Sequence, residues 1–216
     1  MHVPGFGARI GGRFEDWKFC GNGLPSPRMK KSLGANTLVY PTPVFVVGTY
    51  DEYGKPNVMT ASWAGICCSQ PPCVAVSLRR ATSTHGNIVA RKAFTISIPS
   101  EEHVKQADYF GLVSGRNVDK FAKSGLTPEK SICVDAPYVK EFPLIVECRL
   151  VHTFELGLHT QFVGEVMDVK AEEAVMTGDG WVDVKKLKPL AFAPDSRGYY
   201  GIGKFIGKAF SIGEKS

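Results

Sequence analysis

The chain reads as a mainly β protein, a β-barrel of Greek-key type with short helices set between its strands. Three observations carry that expectation. Alternating apolar segments recur from residue 43 onward. Two long alternating stretches, 143–156 and 160–171, are separated only by the turn Gly157-Leu158-His159. The helical stretches are short and irregularly placed, which argues against a doubly wound fold of strands alternating with long helices.

Taken in order, "PVFVVGTY" (43–50) is a strand, "DEYGK" (51–55) a turn around Gly54, and "PNVMTASWAG" (56–65) the return strand. "CVAVSL" (73–78) places Val74, Val76 and Leu78 on one face. "ATSTHGNIVARKA" (81–93) is a short helix capped by the Thr82–Thr84 hydroxyls, and "FTISIP" (94–99) alternates again. "SEEHVKQADYFGL" (100–112) takes Ser100 as N-cap, with Glu101 and Glu102 in the first turn, where acids suit the helix dipole. "NVDKFAKSG" (117–125) is a further short helix ending at Gly125. "PLIVECRLVHTFEL" (143–156) sets Leu144, Val146, Cys148, Leu150, His152, Phe154 and Leu156 on a single face, which makes His152 a buried, satisfied histidine. Residues 1–35 are Gly-rich, Pro-punctuated and aperiodic. They form an arm, and 36–216 a single domain. Met29 offers a second start that would make the arm dispensable.

The 216 residues are 44% hydrophobic and 22% charged, ordinary for a globular chain able to bury a core. The formal charge of +5 is concentrated: residues 1–31 hold six Lys/Arg against Glu15 and Asp16, a balance of +4 that leaves +1 for the rest. A nucleic-acid binder carries its basic patch on the folded domain, so that class is set aside. No apolar run is long enough to span a membrane and no apolar leader is visible, so the cytoplasm is expected. Six cysteines (20, 67, 68, 73, 133, 148) include no Cys-x-x-Cys pair, and five scattered histidines lack zinc-ligand spacing. Reduced thiols and no metal are expected. Cys67–Cys68 stands apart, because neighbours on a regular strand face opposite ways.

Several motifs fail. "GFGARIGG" has no strand before it and Ile10 where a third glycine belongs; "GIGKFIGKA" lacks P-loop spacing; "GDGW" (178–181) lacks the spaced oxygens of a calcium loop. No Gly-x-Ser-x-Gly elbow occurs. Two stretches carry chemistry. In "MTASWAG" (59–65), Thr60 and Ser62 share a face opposite Met59, Ala61 and Trp63. Short hydroxyls there either form a cross-strand pair or let a flat ligand approach the backbone. In "SLRRATSTHGN" (77–87), Arg79, Arg80, Thr82, Ser83 and Thr84 gather two guanidiniums and three hydroxyls at a helix N-terminus, which suits a phosphate.

Four stretches in collinear order, "GKPNVMTASWAGICCSQPPCVAVSLR", "IPSEEHVKQADYFGLVSGRNVDKF", "LGLHTQFVGEV" and "KPLAFAPDSRGYYGIG", resemble the flavoredoxins within the flavin reductase-like FMN-binding split-barrel family, over about residues 29–204. The resemblance implies a split barrel working as an FMN-binding homodimer, with FAD the lesser alternative. It implies that Thr60, Ala61, Ser62 and Trp63 border the ring system and ribityl chain, and that Arg79, Thr82, Ser83, Thr84 and Asn87 hold the phosphate and its approach. Ser114, Gly115, Arg116 and Lys120 would close over the flavin. His159 would stand near the flavin or nicotinamide as the candidate catalytic residue, although Leu158 replaces the acid that usually precedes it. Ser83 and His85 occupy positions where relatives carry aromatics. Two functions are expected from this likeness. The first is an NAD(P)H-dependent oxidoreductase acting at flavin N5. The second is a carrier passing electrons between redox proteins, or to free flavin. A binding module docking through the basic arm is a third reading.

Overall fold

The computed structural model describes residues 29–213. The chain divides into two units, Met1–Asn36 and Thr37–Ser216. Residues 29–36 of the first carry no helix or strand; the remainder of the predicted arm, and with it the third functional reading, lies outside the described residues. The second unit contains strands β1 (Thr42–Pro43), β2 (Phe45–Tyr50), β3 (Pro56–Ala61), β4 (Ala64–Ser69), β5 (Pro72–Arg79), β6 (Ala93–Ile98), β7 (Pro128–Lys130), β8 (Pro137–Val139), β9 (Leu144–Leu156), β10 (His159–Ala171), β11 (Leu190–Ala193) and β12 (Gly198–Gly201). Helices α1 (Ser83–Arg91), α2 (Val104–Leu112), α3 (Lys120–Ser124) and α4 (Val184–Leu187) lie between them. None is long and apolar enough to cross a membrane.

Seven strands pair in the order β3-β2-β6-β9-β10-β5-β4, antiparallel throughout. The two edge strands, β3 and β4, are consecutive in sequence and separated only by Ser62 and Trp63. Three Cα steps reach at most about 11 Å, so the sheet must curl until its edges meet. The Ser77 amide donates to the Trp63 carbonyl (2.8 Å) and pins the corner to β5. Barrel closure is thus written into the chain. The sequence reading ran one strand through 56–65; the structure breaks it at this corner, because β4 must leave β3 to pair with β5.

Two apolar clusters fill the two sides of the sheet. Val47, Val74, Val76, Leu78, Phe94, Ile96, Cys148 and Phe162 pack inside the barrel. Val44, Val46, Val58 and Ile145 pack outward against Ala107 and Phe110 of α2 and Phe121 of α3. Opposite alternation along β2 supplies both clusters, as a strand buried on both faces requires. Cap chemistry sets the helix starts. Thr82 accepts from the His85 amide at α1 (3.3 Å), and Asp119 from the Ala122 amide at α3 (3.1 Å). Ser100 does not cap as expected: its hydroxyl bonds the His103 imidazole (3.1 Å), and a 3-10 turn, Glu101–His103, precedes α2.

The predicted single face of β9 is also corrected. Residues Val163 and Gly164 of β10 pair with His152 and Leu150, leaving Val151 as an extra residue, a β-bulge. Cys148 lies in the barrel core and Leu150 packs against it. Beyond the bulge the phase inverts: Thr153 opposes the buried Phe162, so His152, Phe154 and Leu156 turn outward. His152 is therefore exposed, not a core histidine.

One ion pair sits under the sheet. Glu147, fully buried, accepts from Lys170 and from the Cys133 amide (3.0 Å), while Lys170 also reaches Asp168 (2.8 Å). Burial works to raise the Glu147 carboxyl, but the hydrogen bonds from Lys170, Ser131 and the Cys133 amide hold it below its ordinary value. Lys170→Met strands that carboxylate and is expected to lower unfolding stability by about 3–5 kcal/mol, read by urea denaturation. A loss under about 1 kcal/mol would show that solvent already serves Glu147.

Candidate functional site

The barrel corner opens onto a cleft of about 780 Å³, within the range of small-molecule sites. Its floor is the β3–β4 corner, where Met59, Thr60, Ala61, Ser62 and Trp63 line it. One end is the β5–α1 junction, with Ser77, Arg79, Thr82, Ser83 and Thr84. The opposite wall is the C-terminal end of α2 with the loop that follows, including Asp108, Ser114 and Gly115. The β11–β12 hairpin contributes Phe192, Arg197 and Tyr199 as the outer rim.

Most of the residues singled out in the sequence meet here: Thr60, Ala61, Ser62, Trp63, Arg79, Thr82, Ser83, Thr84, Ser114, Gly115, Lys120 and His159 all line the cleft. Asn87 and Arg116 do not. Asn87 lies a turn further along α1 and donates to Thr49 (3.0 Å), and Arg116 is exposed beyond the loop. The expected pair of guanidiniums reduces to one, because Arg80 is held by Glu155 (2.5 Å) away from the cleft. His85 is likewise occupied, bonding Thr160 (2.9 Å) and setting its ring edge on Phe162. Ser62 and Trp63 both contribute to the cleft lining from the corner between β3 and β4, where strand pairing is interrupted.

The chemistry of each end follows from its contacts. At the β5–α1 junction the free amides and dipole of a helix N-terminus favour an anion. Arg79 stands directly opposite His159 in the β5–β10 register, so the imidazole belongs to this same cationic end. Thr84 is buried and accepts from the Asn57 carboxamide (3.0 Å). Ser83 Oγ is buried at the helix start with no hydrogen-bond partner. An orphaned buried hydroxyl costs free energy, and a ligand oxygen would relieve it. At the corner, Thr60 donates to the Ala107 carbonyl, so its proton docks α2 onto β3 and only its oxygen remains for a ligand.

Lys120 is the least ordinary group. It is 4% exposed, and its ammonium donates to the Val58 (2.7 Å) and Phe110 (2.8 Å) carbonyls. Three donors with two acceptors leave one for the cleft it lines. Burial pushes it down to about 8. Across the cleft, Asp108 accepts from the Tyr199 hydroxyl (3.0 Å); burial and that carboxylate raise the phenol to about 12. Gly115 is dictated by packing: a Cβ there would fall 1.9 Å from Asn57 Oδ1.

Asn57, Asp108, Arg197 and Tyr199 were not singled out in the sequence. Each lies within a stretch that carries the family resemblance, but only tertiary packing brings the four to one cleft.

Comparison with known proteins agrees with the geometry. Residues 37–200 match the flavin reductase like domain family. The fold superposes on the flavoredoxin of Desulfovibrio vulgaris (Miyazaki F) with TM-score 0.83 and 59% identity, over 86% of this chain and 100% of that one. Flavoredoxin from Methanosarcina acetivorans gives TM-score 0.80 and 32% identity, over 86% and 98%. An uncharacterised protein of Archaeoglobus fulgidus is 32% identical over 154 residues, 71% of this chain and 86% of the other. The chain belongs to the flavin reductase-like family: it is a split-barrel flavoprotein. The cleft suits a flavin, with an end that favours an anion, an unpartnered buried hydroxyl and short side chains at Thr60, Ala61 and Ser62.

The Lys120 shift has a definite sign. The folded value, about 8, lies below the ordinary lysine value, so below pH 8 both folded and unfolded chains carry the proton and the buried charge opposes folding. Between about pH 8 and 10.5 only the unfolded chain holds it, and stability rises with pH. Denaturant titrations over that window are expected to show a rise in wild type that is absent in Lys120→Met. Parallel profiles would place the ammonium in water.

Proposed function

We propose that the cleft binds FMN and that the protein passes electrons through it as a flavoredoxin-type oxidoreductase serving other redox proteins. The observation that carries this is the Arg79–Thr84 corner, where one guanidinium, a helix N-terminus and the orphaned Ser83 hydroxyl line the same end of the cleft. In this reading Arg79, Thr82, Ser83 and Thr84 hold the phosphate, and Thr60 to Trp63 border the ring system. Ser114 and Gly115 cover it, and Lys120 with its free donor faces a polar edge of the ring.

A bound flavin supplies hydride or single-electron chemistry at N5; the protein binds, orients and tunes it. Arg79 and the α1 amides neutralise the phosphate dianion. Lys120 offers a charged donor in a water-poor setting, where it favours negative charge developing nearby. His159, beside Arg79, stands at the phosphate end, which makes it a binding residue before a catalytic one. The likeness to flavoredoxins supports electron transfer between proteins. Direct reduction by NADH or NADPH is the second reading, favoured by a cleft roomy for a mononucleotide alone. FMN is preferred to FAD because the described residues include no sizeable insertion suited to an adenine.

The working unit is a homodimer. Past β6, the β9–β10 hairpin exposes Phe154 (50%) and Leu156 (54%), with the half-buried Val163 on the same face. A flat apolar sheet face of this kind marks an interaction surface. Light scattering at micromolar concentration is expected to give twice the chain mass. A monomer that still holds FMN would remove this part of the reading.

Arg79→Ala is expected to weaken FMN binding by roughly 1.5–3 kcal/mol, the range for a charge-assisted hydrogen bond, in a flavin-fluorescence titration. Unchanged affinity would place the phosphate elsewhere. Anaerobic stopped-flow mixing of the FMN-loaded protein with NADH and NADPH separates the two readings. The carrier reading expects no rapid bleaching with either nucleotide, and prompt bleaching would establish the reductase.

A further inference from the structure

At the far end of the β4–β5 hairpin from the cleft, three thiols converge that neither the fold nor the flavin site uses. Cys68 and Cys73 are direct cross-strand partners in the antiparallel β4–β5 pair. Opposed residues in such a pair have Cα atoms about 4.5 or 5.5 Å apart, depending on whether they exchange hydrogen bonds. Both separations fall in the window of about 4.4–6.8 Å that a disulfide needs. Opposed side chains also leave the sheet on the same face, so rotating the Cys68 thiol away from the Gln70 carbonyl (3.4 Å) is the movement that closure asks for. The register slips between Ile66 and Cys68, which makes Cys67 the extra residue of a bulge, so that Cys67 and Cys68 together oppose Cys73. The bulge removes the objection that neighbours on a strand face apart.

Access is asymmetric. Cys67 and Cys68 are exposed, and Cys73 is 7% exposed. Desolvation, then the Cys68 and Cys67 thiols, hold Cys73 above its ordinary value, while the Cys68 thiol donates to the Gln70 carbonyl (3.4 Å). On its other flank Cys73 faces Glu165, whose carboxylate is engaged by Arg149 (2.6 Å). An outer thiol open to a reagent and an inner thiol directly opposite it form an attacking and resolving pair.

We propose that Cys68 and Cys73 form a reversible thiol–disulfide exchange site at the tip of the β4–β5 hairpin, taking small-molecule or protein disulfides as its oxidant. The Cys68 thiolate attacks one sulfur of a disulfide RSSR, forming a mixed disulfide and releasing RS⁻. The Cys73 thiolate then attacks Cys68 Sγ, closing the cross-strand bond and expelling the second RS⁻. The two thiol protons end on the two RS⁻ groups, so two electrons pass from the protein dithiol to RSSR and two RSH are formed. Because the Cys73 thiol is held up, closure speeds as pH rises. The bond would cross-link two adjacent strands, one of which begins at the Ser62–Trp63 corner. The site does not rest on the flavin reading.

The test uses the full chain, as purified, with glutathione disulfide as the oxidant. After alkylation and digestion, the linkage is mapped by tandem mass spectrometry. No Lys or Arg lies between residues 56 and 78, so all three thiols share one tryptic peptide and variants must assign the bond. Expected are the loss of two free thiols per chain, a peptide lighter by two hydrogens, and reversal by dithiothreitol. Cys67→Ser should keep this change, Cys68→Ser should slow it at least tenfold, and Cys133→Ser, outside the cluster, should leave it intact. Far-UV circular dichroism of each variant separates loss of the bond from loss of the fold. Glutathione adducts that accumulate without closing in the wild type would overturn the proposal. So would a bond lost equally in Cys67→Ser and Cys68→Ser (a vicinal pair), or a metal cation found by native mass spectrometry to be held by the thiols in place of the bond.

Discussion

Closure of the barrel depends on a span of two residues. Ser62 and Trp63 join strands that stand at opposite edges of a seven-strand sheet, so the sheet cannot remain open. The Ser77 amide fixes the Trp63 carbonyl, and the corner cannot relax into a longer strand. A tight corner leaves the pleat interrupted, and residues on either side of it line one cleft. That interruption is the floor of the cleft.

The cleft then collects charge from separate elements. Arg79 comes from the end of β5, Lys120 from the start of α3 and Arg197 from the β11–β12 loop, against Asp108 from α2, itself bonded to Tyr199. The balance is cationic, although residues 32–216 carry only +1 of formal charge. Local field, not net charge, is what an anionic ligand meets. Lys120 is instructive because its partners are backbone carbonyls, which satisfy two of its donors but do not neutralise it. The ammonium is therefore held as a charge that a ligand can use.

Some of this was legible without coordinates. The segment 79–84 carries its own meaning, because a guanidinium and three hydroxyls beside a helix start are contiguous in the chain and need no distant partner. The alternation of β5 and β6 was equally plain. The β9 strand misled: seven alternating residues implied one face, and the bulge at Val151 divides them between core and surface. A single inserted residue leaves no compositional trace, since Leu150, His152 and Phe154 look the same on either side of it. Arg79 and Arg80 are likewise indistinguishable by type; only the position of Glu155 across the sheet assigns one to the cleft and the other to an ion pair.

The sequence by itself determined the fold class, the strand-rich order and the grouping of a guanidinium with hydroxyls at a helix start, because each depends on interactions between residues within a few positions of one another. Tertiary structure alone decided where the barrel closes and which alternating face turns outward. It also decided which distant groups (Asn57, Asp108, Arg197, Tyr199) complete the cleft, and which cysteines oppose one another. Those outcomes are set by strand register and chain reach, and register is a property of the pairing, which no single strand encodes.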